Sequence, residues 1–359
     1  MAAITLKKSA KYVIGKMGLL DYAKKAADTL KIAGGFVSYG FTGRTPGFAY
    51  QSMIRLFCST KGVSSDIMAR VVSLFSIPYK IDHPSGVLGR FSSGEIQSIA
   101  DEISEKGYYV FEKRLSPEKI QNLLSLSMKY PAKIVSDSVS TKNTVPALQV
   151  YDPLKPLAVK YDCQLTDMIE DETVQELIAD ESLFAVSQAY LKSKPILDII
   201  SMWWSTTQKE PDAKAAQFFH FDMDRIKWLK FFFYVTDVEK ENGPHKFVEG
   251  SHRSRCIPQE LLKQGYARLS DAEVEKHFDA SKLIEFTGPV GTIIAEDTRG
   301  LHKGQVLLKG HRLVFQLEFT NCLFGGNLQA FPKPRKMTDS LKKAWARYPE
   351  IYKIFLSKQ

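Results

Sequence analysis

A His-x-Asp triplet followed by a long apolar segment constrains the fold of this chain more than any other feature. Residues 217–222 read QFFHFD, and residues 228–235 read WLKFFFYV, an almost continuously apolar run of β-forming residues. We expect a strand in each. Successive side chains of a strand point to opposite faces, so His220 and Asp222 would point one way and Phe221 the other. The sequence therefore predicts a mainly β fold with two metal-ligating groups side by side.

A further histidine and an arginine lie on later predicted strands. Residues 291–296 (GTIIAE) predict a strand that leads toward His302, and residues 312–319 (RLVFQLEF) predict the next strand, which begins with Arg312. Two imidazoles and one carboxylate on one side of a metal leave the other positions open, as in non-haem Fe(II) oxygenases. A guanidinium beside such a centre suits the terminal carboxylate of a second ligand.

The triplet alone is a weak signal, because His277-Phe278-Asp279 repeats it in a polar, helix-like run. We expect that copy to bind no metal. For His220 and Asp222 the alternative is a buried strand histidine with an acidic partner, and the downstream His302 and Arg312 favour the metal site. Two other histidines, His245 and His252, lie in turn-rich stretches, where we expect loop roles.

Several separated motifs together resemble the phytanoyl-CoA dioxygenase family over residues 90–330. The motifs, in order, are His220-Phe221-Asp222, Asn242-Gly243-Pro244, residues 247–253 (FVEGSHR), residues 297–302 and Gly310-His311-Arg312. The resemblance implies a double-stranded β-helix (jelly-roll) core with flanking helices and Fe(II) inside. It says nothing about the long N-terminal region.

The resemblance also implies roles for single residues. By this resemblance the metal ligands would be His220, Asp222 and His302. Arg312 would bind the distal carboxylate of the co-substrate 2-oxoglutarate. The further candidates for the co-substrate pocket are Phe232, Lys230 and Tyr234 on one strand face, and Gln316 on the face of Arg312. The implied reaction uses O₂, hydroxylates a small-molecule, lipid or glycan-related substrate, and releases succinate and CO₂. Halogenating relatives have a small residue at the carboxylate position, so Asp222 favours hydroxylation.

Two other classes stay open. One is a jelly-roll binding protein without turnover, and the other is a zinc hydrolase with the same three ligands, although no HExxH helix is present. Five basic residues lie in motifs near the expected pocket mouth. They either bind an anionic group of the substrate or are solvated loop charges. We favour the second interpretation. They are Lys246, Arg253, Arg255, Arg299 and Lys303.

The chain divides into three predicted parts: a basic helical N-terminal region (1–80), a jelly-roll dioxygenase domain (90–330) and a C-terminal helical segment (331–359), with a Pro- and Gly-containing linker over 76–92. Residues 1–80 contain 12 Lys and Arg against 3 Asp and Glu, whereas the whole chain has a net charge of +9. The charge excess therefore belongs to the N-terminal region and not to the predicted catalytic domain.

The basic region begins with an amphipathic pattern over residues 9–32, and Gly34-Gly35 is expected to stop that helix. Further helices are predicted over 50–57 and 64–75. A basic amphipathic helix either contacts an anionic membrane surface or packs on its own catalytic domain, and we favour packing. No nucleic-acid-binding motif is present, so we expect no nucleic-acid partner.

The four scattered cysteines contain no CxxC pair and suit a reducing compartment. No run approaches the roughly 20 apolar residues of a membrane span. We therefore expect a cytoplasmic protein, with membrane association through the basic helix as the alternative. The sequence leaves the oligomeric state open.

Overall fold

The apolar segment after the His-x-Asp triplet forms the centre of a large antiparallel sheet. The computed structural model describes residues 2–135, 148–207, 216–326 and 330–356, with side chains from residue 19 to residue 355 of these ranges. The strands of these residues are β1 (Ser85–Gly86), β2 (Gly89–Arg90), β3 (Tyr108–Phe111), β4 (Ala132–Val135), β5 (Leu148–Gln149), β6 (Lys160–Asp162), β7 (Ile196–Thr206), β8 (Trp228–Tyr234), β9 (His245–Val248), β10 (Leu283–Phe286), β11 (Ile293–Glu296), β12 (His302–Gly304) and β13 (His311–Thr320).

Two sheets face each other in the described part of the chain. The large sheet has eight strands in the order β3-β11-β8-β13-β7-β6-β4-β5, and the small sheet has three in the order β10-β9-β12. A second apolar cluster between them includes Phe232 and Val314 of the large sheet and Phe247 and Phe286 of the small one. The predicted mainly β, jelly-roll fold with flanking helices is confirmed.

The register of the large sheet brings polar side chains together on its inner face. Lys230 of β8 lies opposite Glu318 of β13 and Glu296 of β11, while Phe232 lies opposite Gln316 of β13. Residues directly opposite in antiparallel strands share a face. Charged groups are therefore placed inside the sandwich, where few proteins have them.

Helices flank the two sheets. They are α1 (Ala2–Thr42), α2 (Gly47–Thr60), α3 (Val63–Phe75), α4 (Ser93–Lys106), α5 (Pro117–Lys129), α6 (Leu165–Met168), α7 (Glu172–Leu177), α8 (Glu181–Leu191), α9 (Gln259–Leu262), α10 (Asp271–Glu275) and α11 (Asp339–Arg347), with 3₁₀ turns at Lys240–Asn242, Ala280–Lys282 and Pro349–Leu356. Phe184 of α8 and Tyr352 after α11 pack with Phe231 and Phe315 in the main core. The C-terminal segment therefore packs on the sheet.

The prediction that Gly34-Gly35 stops the first helix is wrong, because α1 continues to Thr42. Glycine in a helix interior costs about 1 kcal/mol but does not forbid the helix. At position 35 a Cβ atom would lie 2.3 Å from the Cβ of Ala49 in α2. Gly35 is therefore the residue that lets the two helices approach each other.

The inner sides of α1 to α3 pack against the sheet domain. The ring of Phe36 stacks on Phe324 with centroids 3.9 Å apart, and Phe57 stacks on Phe221 at 5.3 Å. The helices thus lie directly behind the predicted metal-binding triplet. In the part of the chain that the structure describes, no helix has the length and apolar content needed to cross a bilayer.

Two expected elements differ in detail. Residues 172–192 form α7 and α8 in place of one helix, because the Asp180 side chain accepts hydrogen bonds from the backbone of Ser182 and Leu183 and so starts a new helix. The strand expected over 217–221 is reduced to single bridge pairings at Phe219 and His220.

Candidate metal centre

The structure brings His220, Asp222 and His302 together inside the sandwich. One ligating atom from each lies within 4.8 Å of the others, and this is the one such group of three found among the described residues. Nε2 of His220 is 3.7 Å from Oδ1 of Asp222, and Nε2 of His302 is 3.6 Å from Oδ2. All three side chains are buried. The second His-x-Asp copy, at residues 277–279, is not part of this group.

Backbone hydrogen bonds fix the three residues relative to each other. His220 and His302 form an antiparallel bridge in which each N–H donates to the other carbonyl, at 3.0 and 2.8 Å. Directly opposite residues project to the same side, and the imidazole centroids are 4.2 Å apart. The backbone N–H of Asp222 donates to Thr298 O at 2.8 Å. Residues 218–222 and 298–302 therefore act as one ligand-bearing unit.

Both imidazoles are oriented by their own chain segments. Nδ1 of His220 is 2.9 Å from Phe218 O, and Nδ1 of His302 is 3.0 Å from Gly300 O. A carbonyl can only accept, so Nδ1 carries the proton, and Nε2, the ring atom near Asp222, keeps its lone pair. Burial lowers the pKa of His302 to about 4 and that of His220 well below its usual value. Both rings are thus neutral near pH 7, the form that binds metals.

Lys230 is the immediate partner of the Asp222 carboxylate. Its ammonium donates to Oδ2 of Asp222 at 2.6 Å and lies 3.5 Å from Glu318. Burial opposes the charge of Lys230, but these two carboxylates outweigh it and raise the lysine pKa. For Asp222, Lys230 and the two histidines outweigh burial and lower the pKa, so the carboxylate is ionised. Asp222 thus meets the charge requirement of a metal ligand.

Arg312 projects into the same space with much of its guanidinium unused. It is buried, and its Nε and Nη1 atoms have no hydrogen-bond partner among the described residues. A Cβ added to Gly304 would lie 3.5 Å from Nη2 of Arg312, and Gly304 is two positions after His302 on β12. Alternate strand residues share a face. The guanidinium therefore lies one strand repeat from His302, and its free donors call for an anion.

The other sequence candidates share the inner face of the large sheet. Phe232 has its ring 5.0 Å from that of His245, and Gln316 is buried on the neighbouring strand. The Tyr234 hydroxyl is already committed, because it donates to Phe286 O at 2.7 Å. Phe232 and Gln316 are therefore available to a bound molecule, whereas Tyr234 mainly joins the two sheets.

The expectation of a loop role for His245 is wrong. His245 begins β9, its ring lies 5.4 Å from that of His302, and Nε2 is 2.9 Å from Oε1 of Glu296. The turn residues just before it, Gly243-Pro244, concealed the start of the strand. Burial, with the nearby Arg312 and Lys230, lowers the pKa of His245 to about 3. This neutral ring is a wall of the site that the sequence pattern did not reveal.

The five basic candidates near the pocket mouth lie in three different environments. Arg299 is buried and binds Asp297 at 2.6 Å and Asp66 of α3 at 3.2 Å, so it is neither a loop charge nor free for substrate. Lys303 pairs with Asp271 at 2.6 Å, and Lys246 lies 3.7 Å from Glu285. The remaining two, Arg253 and Arg255, are exposed loop charges.

Comparison with known proteins gives distant structural likenesses only. No family model matches the chain, and no curated protein matches it in sequence. EctD from S. alaskensis with bound Fe has 16% identity and a TM-score of 0.43 over 77% of this chain and 90% of its own. The epimerase SnoN in complex with Fe³⁺, alpha ketoglutarate and nogalamycin RO has 14% identity and a TM-score of 0.42, over 64% of this chain and 84% of its own. AviO1 from Streptomyces viridochromogenes Tue57 has 16% identity and a TM-score of 0.39, over 62% of this chain and 93% of its own. Similarity at this level assigns no reaction, so the chemistry is argued from the geometry.

Proposed function

We propose that this chain is a non-haem Fe(II)- and 2-oxoglutarate-dependent dioxygenase that hydroxylates a small molecule. His220, Asp222 and His302 would hold the metal. Two neutral imidazoles with one carboxylate, and no cysteine among the three, form the ligand set that suits Fe(II) with open positions. Fe(II), when bound there with 2-oxoglutarate and O₂, would supply the oxidation, and succinate and CO₂ would leave with the hydroxylated product.

The observation that carries this proposal is the buried Arg312 with free donor atoms beside the ligand group. A buried cation without a partner destabilises the folded protein. A buried guanidinium is therefore expected where an anionic ligand pairs with it. The planar fork binds a carboxylate through two parallel hydrogen bonds. In the proposed complex Arg312 orients the far carboxylate of 2-oxoglutarate, and Gln316 and Phe232 flank its chain.

Lys230 is assigned to the ligand carboxylate and not to the co-substrate. Its contact with Oδ2 fixes the rotation of the Asp222 side chain, and Glu318 on the next strand holds the ammonium from the other side. A metal ligand held in this way keeps its geometry without the metal. The residues thus supply orientation, charge balance and a dry pocket, which is the part of such chemistry that belongs to the protein.

The substrate has a cavity available next to this face. A cavity of about 740 Å³ is lined by Ile199 and Ser201 of β7, together with Asp162 and Asp224. On β7, Ile199 lies opposite Glu318 and Ser201 lies opposite Gln316, so the cavity adjoins the proposed co-substrate pocket. Its walls carry apolar groups and charges of both signs, including Lys133 and Arg225, which suits a small polar molecule.

The two other classes differ in how they use Arg312. A zinc hydrolase would use the same three ligands but has no role for a buried guanidinium with free donors. A binding protein without turnover would not require neutral imidazoles poised on an ionised carboxylate. Both classes predict that 2-oxoglutarate has no effect on the metal-loaded protein.

The test is an anaerobic titration of 2-oxoglutarate into the Fe(II)-loaded protein, followed by the visible charge-transfer band of the chelated complex. We expect the band in the wild type, a 10- to 100-fold weaker apparent affinity in Arg312→Ala, roughly the loss of a charge-assisted pair, and no iron in His220→Ala. Arg253→Ala removes an exposed arginine and should leave the titration unchanged. Bound iron without a band, or an unchanged affinity in Arg312→Ala, would refute the proposal.

A further inference from the structure

The outer face of α1 exposes apolar side chains in a regular stripe. Four large ones, Leu19, Leu30, Val37 and Phe41, are 73%, 73%, 62% and 89% exposed. The exposed alanines Ala23, Ala26 and Ala33 fall between them at helical spacing. Positions three, four and seven apart share one helix face. We call these seven residues the outer stripe.

The opposite face of the same helix is accounted for. Ile32 is buried, Phe36 stacks on Phe324, and Asp28 pairs with Arg55 of α2 at 2.6 Å. Packing against the domain therefore uses the inner face of α1 only. The outer stripe has no such partner among the described residues.

The exposed apolar groups are concentrated in this region and not spread over the molecule. Of the 20 large apolar side chains that are exposed in the described residues, 12 lie between Leu19 and Ile77. α3 contributes its own exposed set: Ile67, Val71, Leu74 and Phe75. Contiguous exposed apolar surface is rare on soluble proteins and marks a place of interaction.

Basic side chains accompany the stripe. Lys24 and Lys31 are exposed and fall to one side of it on the helix, and residues 1–80 carry 12 basic against 3 acidic residues. Of the two acidic residues of α1, Asp28 is engaged by Arg55 and Asp21 by Lys25. An apolar strip with a lysine flank complements the interface of an anionic lipid layer, where the apolar groups enter the acyl region and the lysines meet the headgroups.

We propose that the outer stripe of α1 docks this protein on an anionic membrane surface, with the helix lying in the plane of the interface. A second copy of the chain fits the stripe less well. A two-fold interface places the same surface against itself, so the lysine-flanked stripe would face an equally basic one. The proposal rests on the surface of α1 and is independent of the proposed reaction.

The test is co-sedimentation of the full-length, Fe(II)-loaded protein with vesicles of phosphatidylcholine, with and without phosphatidylserine. We expect binding to the phosphatidylserine vesicles only, weakened by high salt. The combined variant Leu30→Ser, Val37→Ser, Phe41→Ser should bind at least 10-fold more weakly, and Lys24→Glu with Lys31→Glu should also lose binding. Circular dichroism and the 2-oxoglutarate band should be unchanged in both variants.

A matched control removes exposed apolar groups elsewhere, in the variant Leu154→Ser, Leu308→Ser, whose targets are 88% and 73% exposed. It should bind vesicles like the wild type. Equal loss in this control, or wild-type binding by the stripe variant, would overturn the proposal. So would a wild-type dimer that ignores vesicles and becomes monomeric when the stripe is substituted, because the occupant would then be a second copy.

Discussion

The interior of the sandwich and the outer face of α1 depart from the usual arrangement of side chains in opposite directions. Between the sheets, Lys230, Asp222 and Arg312 are charged groups buried among aromatic rings. On α1, Leu30 and Phe41 are apolar groups left in water. Each arrangement is unfavourable for the isolated molecule. The comparison leads to one proposal for both places: each accommodates a partner, a metal ion and an anion inside and a lipid surface outside.

The largest effect that would test the interior is expected from Lys230→Met. This change leaves Asp222 and Glu318 buried without their cation, and we expect the metal-free protein to lose about 3–5 kcal/mol in the free energy of unfolding. Fe(II) would replace the missing positive charge at Asp222, so metal should stabilise the variant more than the wild type. Urea unfolding under anaerobic conditions, with chelator or with Fe(II), measures both.

The control for this prediction is Lys246→Met, whose partner Glu285 is 3.7 Å away and one-third exposed. A pair of this kind contributes less than about 1 kcal/mol. Equal losses in the two variants, or equal stabilisation of Lys230→Met and wild type by Fe(II), would mean that the Lys230 contact is not specific to the ligand carboxylate.

The two sides of the N-terminal helices can be compared through two phenylalanines. Phe57 is buried against Phe221, between the metal ligands, and Phe75 is 86% exposed. We expect Phe57→Ala to cost about 3–4 kcal/mol and to weaken Fe(II) binding, because the ligand segment loses its support. Phe75→Ala should change stability by less than about 0.5 kcal/mol. Thermal unfolding measures the stability of both variants, and iron titration measures their affinity for Fe(II). A large effect of Phe75→Ala on stability would show that α3 has an intramolecular partner.

Adjacent glycines of α1 give a finer comparison. At Gly35 an added Cβ meets Ala49 at 2.3 Å, whereas at Gly34 nothing lies within 4 Å. Gly35→Ala should therefore destabilise by roughly 1–3 kcal/mol through overpacking, and Gly34→Ala should stabilise by about 0.5–1 kcal/mol through helix propensity. Denaturant midpoints of the two variants should move in opposite directions; a shift in the same direction would contradict the helix contact.

An effect of about the same size as that of Gly35→Ala concerns pH and a buried histidine outside the ligand group. Burial lowers the pKa of His252 to about 4 from an ordinary value of 6.5. Between these values the unfolded chain binds a proton that the folded one does not, so this contribution to stability falls as the pH falls. From pH 7 to pH 5 the wild type should lose about 2 kcal/mol more than His252→Asn. Parallel pH profiles of the two proteins would disprove it.

The sequence reached the parts of the structure that depend on local pattern. Strand periodicity and composition located β8, β11 and β13, and the His220-Phe221-Asp222 triplet with the later His302 located the three side chains that meet between the sheets. These signals suffice because alternation along a strand determines which side chains share a face.

What the sequence missed depends on partners far along the chain. Gly35 continues a helix while Ala49 lies against it, and Arg299 is buried between its neighbour Asp297 and Asp66, 233 residues earlier. His245 was misplaced because a turn and a strand meet at that residue. Only the split at Asp180 had a local signal, since an aspartate followed by Glu181 and Ser182 is a common helix start.

The contacts behind the metal-binding triplet have a consequence for the order in which the protein forms. Thr45 accepts a hydrogen bond from the backbone of Gly325, 280 residues later. Domains fold from the N-terminus as the chain emerges at about 5–20 residues per second, so the N-terminal helices wait roughly 15 to 60 s for the strands that cover their inner face. During that time the outer stripe and the part of the inner face that packs on the sheet domain, such as Phe36, are both uncovered. A nascent chain with this architecture is therefore a strong candidate for early capture by a chaperone or by a membrane.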